Sequence, residues 1–370
     1  MNLTRRTIHT RGVDEKSKVL NHLCSVGNSN TSGPSFLASD LQCGLSDQIL
    51  DGLPNKAESI QIGDRIYPSS ILELHRPTGK YISRILIRIF NLFSRKGIIR
   101  TVGNACAPGL VFPVLEPNQG MEQFANLQKS CPIISVNTLG FNTYPDSVTV
   151  SAEPFMVIDL PPHWRTFNDY LGAFSSKYRV RTKKVYEETD SITKTYLHTE
   201  SPNFWAAQCG ALLAESLQDK TIAIGRNLPE LLICYHQSLK EKYRIIGFYE
   251  NNHIVGFISY IVDGPRMFAM QLGLDRKSDI TGKLYQRMLY SLVEEAFELG
   301  ITKINLGRTG AEIKSTLGAV PVENSFVVFT RSKILLGLFR LYAKYIQKKY
   351  HYTYRNPFKT SALKAPGELV

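Results

Sequence analysis

Residues 272–318 read LGLDRKSDITGKLYQRMLYSLVEEAFELGITKINLGRTGAEIKSTLG. The stretch leaves a strand at Leu272 and crosses a loop in which Asp279 or Thr281 supplies a helix cap. Leu284, Met288, Leu292, Ala296 and Phe297 then recur on one helical face, and Gly300 ends the helix. A short strand follows at Lys303–Leu306. The polar turn Gly307-Arg308-Thr309-Gly310-Ala311-Glu312-Ile313-Lys314 closes the unit. A helix that returns the chain to a neighbouring strand predicts a parallel βαβ crossover, and ligands in such sheets bind beyond the carboxyl ends of the strands. Arg308, Glu312 and Lys314 stand at that position. Arg308 can fork onto an anion, and Glu312 and Lys314 can serve as base and charge partner. A capped turn with local ion pairs is the plainer alternative.

Upstream of this unit lies a meander of strands at Tyr243–Tyr249, Ile254–Val262 and Met267–Leu272, with turns at Asn251-Asn252 and Asp263-Gly264-Pro265. Helices are predicted at Phe204–Ser216 and Glu230–Leu239. One longer helix is predicted from Trp164 to about Glu188, where Trp164, Phe167, Leu171, Phe174 and Tyr178 recur every three or four residues. A strand over Phe155–Leu160 stops at Pro161-Pro162. In the first half the pattern is weaker. Strands are expected around Ser59–Tyr67, Ile98–Val102 and Ile133–Thr138, with an apolar helical stretch at Tyr81–Phe93 carrying Arg84 and Arg88. Downstream, Ser325–Thr330 reads as a strand and Lys333–Lys349 as a long basic helix. The expected organisation is a weakly patterned segment 1–55, a domain 56–150, a second domain 151–330, and a basic helix and tail 331–370. The fold class is α/β, with a mixed sheet.

The formal net charge is +12, and it is regional. Between Glu323 and Glu368 there is no acid and there are nine Lys or Arg, whereas the rest of the chain holds 35 basic against 32 acidic residues. Such a window suits an anionic ligand, a membrane surface or nucleic acid. The six cysteines include no CxxC pair, so neither a zinc site nor any other metal is expected; Cys209 and Cys234 read as core thiols. Met1–Leu20 has no apolar run and no stretch reaches about 18 apolar residues, so a cytoplasmic protein is expected.

Other residue clusters carry chemistry. Lys177, Arg181 and Lys184 fall on one helical face and can hold a phosphate or a carboxylate, or form a solvated basic face. Lys333–Lys349 is amphipathic and basic, which suits core packing or an anionic membrane. Arg355-Asn356-Pro357-Phe358-Lys359 either folds back over a site or ends the domain. His163 and Trp164 read as loop or core residues, and His236 as a satisfied core histidine.

Residues 155–360 resemble the FemAB/CelD-like branch of the GNAT acyltransferase superfamily. The resemblance is carried by the Trp164 helix with Ser176-Lys177-Tyr178-Arg179, by Leu272-Gly273-Leu274-Asp275, and by the helix Gly282–Leu299. Asn305-Leu306-Gly307-Arg308-Thr309, Glu312-Ile313-Lys314, Gly318-Ala319 and Arg355-Asn356-Pro357-Phe358-Lys359 complete it. It implies a GNAT fold in two tandem copies, the first degenerate, and an N-acyltransferase that moves an acyl or aminoacyl group onto an amine. Two central strands would part, so that a backbone N–H meets the donor carbonyl. The implied catalytic residues are Arg308 and Glu312, with Glu312 as base. The implied binding residues are Lys177, Tyr178, Arg181, Gly282, Lys283, Gly307, Thr309 and Lys314.

One departure bears on the donor. Where coenzyme A enzymes of the superfamily carry a Gly-rich phosphate loop, this chain has Asp279-Ile280-Thr281-Gly282-Lys283-Leu284, of which Gly282 alone fits. The implied donor is therefore acyl-coenzyme A or, alternatively, aminoacyl-tRNA. The acceptor is a small-molecule or lipid-linked amine, such as a cell-envelope precursor. The acid-free stretches near Tyr81 and Lys333 add an expected peripheral contact with the inner face of an anionic membrane. The competing reading is a non-catalytic module of this fold that binds membrane or RNA through its basic surfaces.

Overall fold

A computed structural model describes residues 58–62, 65–73, 98–102, 134–139, 147–217, 228–277, 280–341, 343–344 and 352–359. The helical stretch expected at Tyr81–Phe93, the cap candidate Asp279, four of the cysteines and the second half of the Lys333–Lys349 helix lie outside the described residues.

The backbone opens with strands β1 (Glu58–Ile62), β2 (Arg65–Glu73), β3 (Ile98–Val102), β4 (Ile134–Leu139) and β5 (Ser147–Asp159). Helices α1 (Phe167–Ala173) and α2 (Ser176–Glu188), strand β6 (Thr193–Tyr196), and helices α3 (Pro202–Leu217) and α4 (Leu228–Leu239) follow. The meander is β7 (Tyr243–Glu250), β8 (His253–Asp263) and β9 (Arg266–Leu274). Then come α5 (Thr281–Glu298), β10 (Lys303–Asn305), α6 (Ala311–Ser315), β11 (Val320–Phe329) and α7 (Lys333–Leu341). The strands form one sheet in the order β1-β2-β3-β4-β11-β5-β10-β9-β8-β7-β6. It is mixed: β3–β4 and β9–β10 run parallel, and the other pairs are antiparallel. β5 runs through the boundary expected at residue 150.

Alternation along the strands feeds two cores. On β8, Ile258 and Tyr260 face a layer formed by α1, α2 and α5, where Met156, Tyr170, Phe174, Met288 and Leu292 are buried. Phe257 and Ile261 face the other way, onto α3 and α4 with Trp205, Leu232 and Tyr235. α3 presses on β9 so closely that a Cβ at Gly273 would stand 2.8 Å from the Leu212 backbone.

Two expectations about helices are corrected. The single helix from Trp164 to Glu188 is two, because Phe174 is extended (φ −68°, ψ 147°) and forms a bridge with Phe358. Thr166 caps the first of them through a capping box with Asp169. α5 has Ile280 at its N-cap with no side-chain bond, so Thr281 does not act as the cap. Gly300 does end that helix, at φ +66°.

The crossover from β9 through α5 to β10 decides the architecture. β10 pairs with β9 at three positions, Lys303↔Arg266, Ile304↔Met267 and Asn305↔Phe268. β9 then runs on to Leu274 with β8 as its partner, through a register shift between Ile258 and Tyr260. β10 stays with β5, since Leu306 N donates to Met156 O (2.8 Å) and Met156 N to Gly307 O (3.0 Å). The two parallel strands therefore part beyond Phe268 and Asn305. This mixed α/β sheet, with its meander, crossover helix and parted parallel pair, agrees with the fold class expected from the sequence, and two central strands part as the resemblance implied.

Candidate functional site

Two sets of side chains stand on the elements of the crossover and their neighbours. The first is the turn at the end of β10. Asn305 is buried, and its Oδ1 accepts from Gly307 N at 2.8 Å, while its Nδ2 is enclosed with no hydrogen-bond partner among the described residues. Gly307 takes φ +77°, a conformation that suits glycine. Lys314, from α6, is 4% exposed, and its Nζ donates to Arg308 O at 3.2 Å. Burial pulls that amine from 10.5 down to about 7, with Arg308 adding to the fall and Glu153 opposing it. The Arg308 guanidinium lies over Phe155 and Phe326, 5.9 and 5.6 Å from the ring centroids. Tyr285, on α5, brings its hydroxyl to 3.1 Å from where a Cβ on Gly310 would sit, and burial pushes it up to about 12.

The second set lines a cavity of about 270 Å³ between α2, α5, the segment after α6 and the C-terminal tail. Its cations are Arg181 and Lys184 from α2, Lys283 from α5 and Arg355 from the tail. Tyr178, Gln286, Tyr290 and Thr316 complete the lining. Lys184 and Lys283 share Glu188, at 3.4 and 3.2 Å. Those bonds, that to Lys283 first, hold the Glu188 carboxyl below the usual range. Arg181 and Arg355 have no carboxylate partner among the described residues. The Arg181 guanidinium rests over Tyr178 at 5.5 Å. Arg355 is held by its backbone, whose N donates to Ser315 Oγ at 3.0 Å. Four cations, two of them paired with one carboxylate, line a small cavity whose chemistry suits a phosphate or a carboxylate.

Of the residues expected from sequence, Tyr178, Arg181, Lys184, Lys283 and Arg355 meet in the cavity, and Gly307, Arg308 and Lys314 meet at the turn. Lys177, Gly282, Thr309 and Glu312 are exposed and line neither. Gln286, Tyr290 and Thr316 were not anticipated. Lys283, Gln286 and Tyr290 are spaced by three and four, so one helical face of α5 carried the signal.

Outside these sets, His236 corrects another expectation. It lies edge-on to Trp205 at 5.8 Å, but its Nδ1 is enclosed and has no hydrogen-bond partner among the described residues. Burial lowers its pKa. Cys209 is buried, and Cys234 is half-buried. Farther along α5, Glu295 is 1% exposed and accepts from Lys194 Nζ (3.1 Å), Tyr196 OH (2.5 Å) and Tyr260 OH (2.9 Å). This network ties α5 to β6 and β8.

The sequence matches no protein-family model, and no curated protein matches it. Solved structures overlap it at low identity. The C-terminal domain of a candidate lysylphosphatidylglycerol synthetase from Agrobacterium fabrum is 9% identical, with TM-score 0.48, over 88% of this chain and 94% of that one. L-PGS from Bacillus licheniformis is 12% identical, with TM-score 0.46, over 85% and 100%. FemX is 8% identical, with TM-score 0.46, over 86% and 98%.

Proposed function

We propose that the protein is an N-acyltransferase. Its donor carries a phosphate held in the Arg181–Arg355 cavity, and its acceptor amine is met at the parted ends of β9 and β10. The observation that carries this reading is the cavity itself. It is built from four separate segments, and α5 and the segment after α6 are the elements that enter and follow the parted pair.

The backbone supplies a place for the donor carbonyl. Gln271 N donates to Ser259 Oγ and Asp275 N to Val255 O, both toward β8. Alternation therefore turns the N–H groups of Leu272 and Leu274 to the opposite edge, and Ser216 Oγ takes the one at Leu274. The Leu272 N–H is the group placed to stabilise the oxyanion that forms as the amine attacks. The C–N bond forms, the donor thiolate or ribose oxygen leaves, and the amine loses a proton. Lys314, half neutral at about pH 7, takes that proton better than the exposed Glu312 does.

Coenzyme A, a long-chain acyl-coenzyme A and aminoacyl-tRNA share the phosphate chemistry and separate the donor classes. A donor that binds only the folded chain raises its melting temperature. We expect one of them to do so, and Arg181→Glu together with Arg355→Glu to remove the effect. Absence of any shift across all three would overturn the reading.

A further inference from the structure

We propose that the outer stripe of α7 seats the protein on an anionic lipid surface. One side of α7 belongs to the core: Leu335 and Leu336 are buried, and Leu335 packs on Val328 with Val150, Leu338 and Phe339 around it. The other side carries Lys333, Ile334, Gly337, Arg340 and Leu341, all exposed, and Lys344 continues it beyond the helix end. Ile334 is 58% and Leu341 45% exposed. They stand seven residues apart and so share a face, with cations beside each. A Cβ at Gly337, between them, would meet only open space.

The stripe lies in the window that has no acid from residue 324 to 367. Cations alone would suit any polyanion. Two aliphatic side chains held outward among them suit a bilayer, where the alkyl groups enter the acyl boundary and the cations meet the headgroups. A nucleic acid offers those alkyl groups nothing comparable. The placement also has a consequence for the site. Phe326 and Val328, two apart on β11, share one sheet face. α7 covers Val328, while the Arg308 guanidinium lies over Phe326. A protein resting on α7 holds Arg308 on the flank bearing the lipid surface. The docking stands on α7 alone and does not require the transferase reading.

The test is sedimentation of the full chain with vesicles of phosphatidylcholine alone and of phosphatidylcholine with an equal part of phosphatidylglycerol. Binding is expected to the anionic vesicles and not to the neutral ones. Lys333→Gln and Arg340→Gln are expected to weaken partitioning about fivefold each. Ile334→Asn with Leu341→Asn is expected to abolish the binding that persists at high salt. All four positions are exposed, so an unchanged melting temperature confirms that each variant folds. The proposal is overturned if the chain fails to sediment, if it binds neutral vesicles equally, or if the aliphatic pair can be replaced without loss. Binding to single-stranded RNA that the cation variants lose and the aliphatic pair leaves untouched, with no vesicle binding, would give the surface to nucleic acid instead.

Discussion

Lys314 sets the pH dependence expected of this fold. A lysine that is 4% exposed and has one carbonyl partner disfavours the fold unless it serves a purpose. Its amine sits at about 7 in the fold and at 10.5 when exposed. The unfolded chain therefore binds the extra proton between those values, and stability rises as pH climbs from about 7 toward 10.5. Below about 7 both states are protonated and the penalty is full. At 1.36 kcal/mol per pKa unit it is on the order of 5 kcal/mol. Lys314→Met removes that penalty but leaves the Arg308 carbonyl without its donor, at about 1–2 kcal/mol. The variant is expected to be about 3 kcal/mol more stable at pH 7, to lose the pH slope between 7 and 10.5, and to slow transfer by about 10² or more. Denaturant unfolding across that pH range, beside the transfer rate, checks all three. A variant that is less stable yet fully active would make Lys314 a structural strut. Charge and position beyond a strand made Lys314 visible in the sequence. Its burial was not visible, because that depends on packing beneath Gly307 and Arg308. For the same reason Glu312, equally prominent in the sequence, proved to be exposed.

At the scale of elements, the C-terminal tail acts as a clasp. Ser175 N donates to Pro357 O (2.8 Å) and Lys359 N to Ala173 O (2.9 Å), so the tail closes the gap between α1 and α2. Phe358 fills the space between Trp164, Tyr170 and Phe174, with centroids at 5.1, 5.9 and 5.3 Å. It also lies against Gly318, where φ is +87° and any Cβ would collide with the ring. Phe358→Ala is expected to cost about 2–3 kcal/mol, below the 3–5 of a fully buried ring. It should also weaken phosphate-donor binding about tenfold, as loss of one charge-assisted hydrogen bond would, because it frees the segment that holds Arg355 in the cavity. Melting temperature and donor affinity would read the two effects. Lower stability with undiminished affinity would remove Arg355 from the site. Periodicity made most helices and the meander legible, since each records its own face. It ran the chain through Phe174 as one helix because the reason for the break is a partner strand at the far end of the sequence. The parallel crossover followed from the βαβ pattern and the parted strands from the resemblance, while the cavity needed α2, α5 and the tail brought together.

At the scale of the whole molecule, the last strand in sequence is not at an edge. β11 lies between β4 and β5, so the first half of the chain joins the sheet through β4 against Asn324–Phe329. Local pattern shows that both segments are strands; their pairing is long-range and leaves no periodic trace. The junction makes the two halves dependent on each other. A chain starting at residue 141 keeps β5, the crossover, the cavity and α7, but leaves one edge of β11 unpaired over six residues. At 0.2–1 kcal/mol per cross-strand pair the lost partners are worth about 3 kcal/mol. The bared edge, with Phe326 and Val328 on it, offers a template to other chains. The shortened protein is therefore expected to melt lower and to associate as its concentration rises. Light scattering over a dilution series, with thermal unfolding alongside, measures both. If it stays monomeric and melts with the full chain, the β4–β11 junction contributes nothing to stability, and the C-terminal half folds independently of the first.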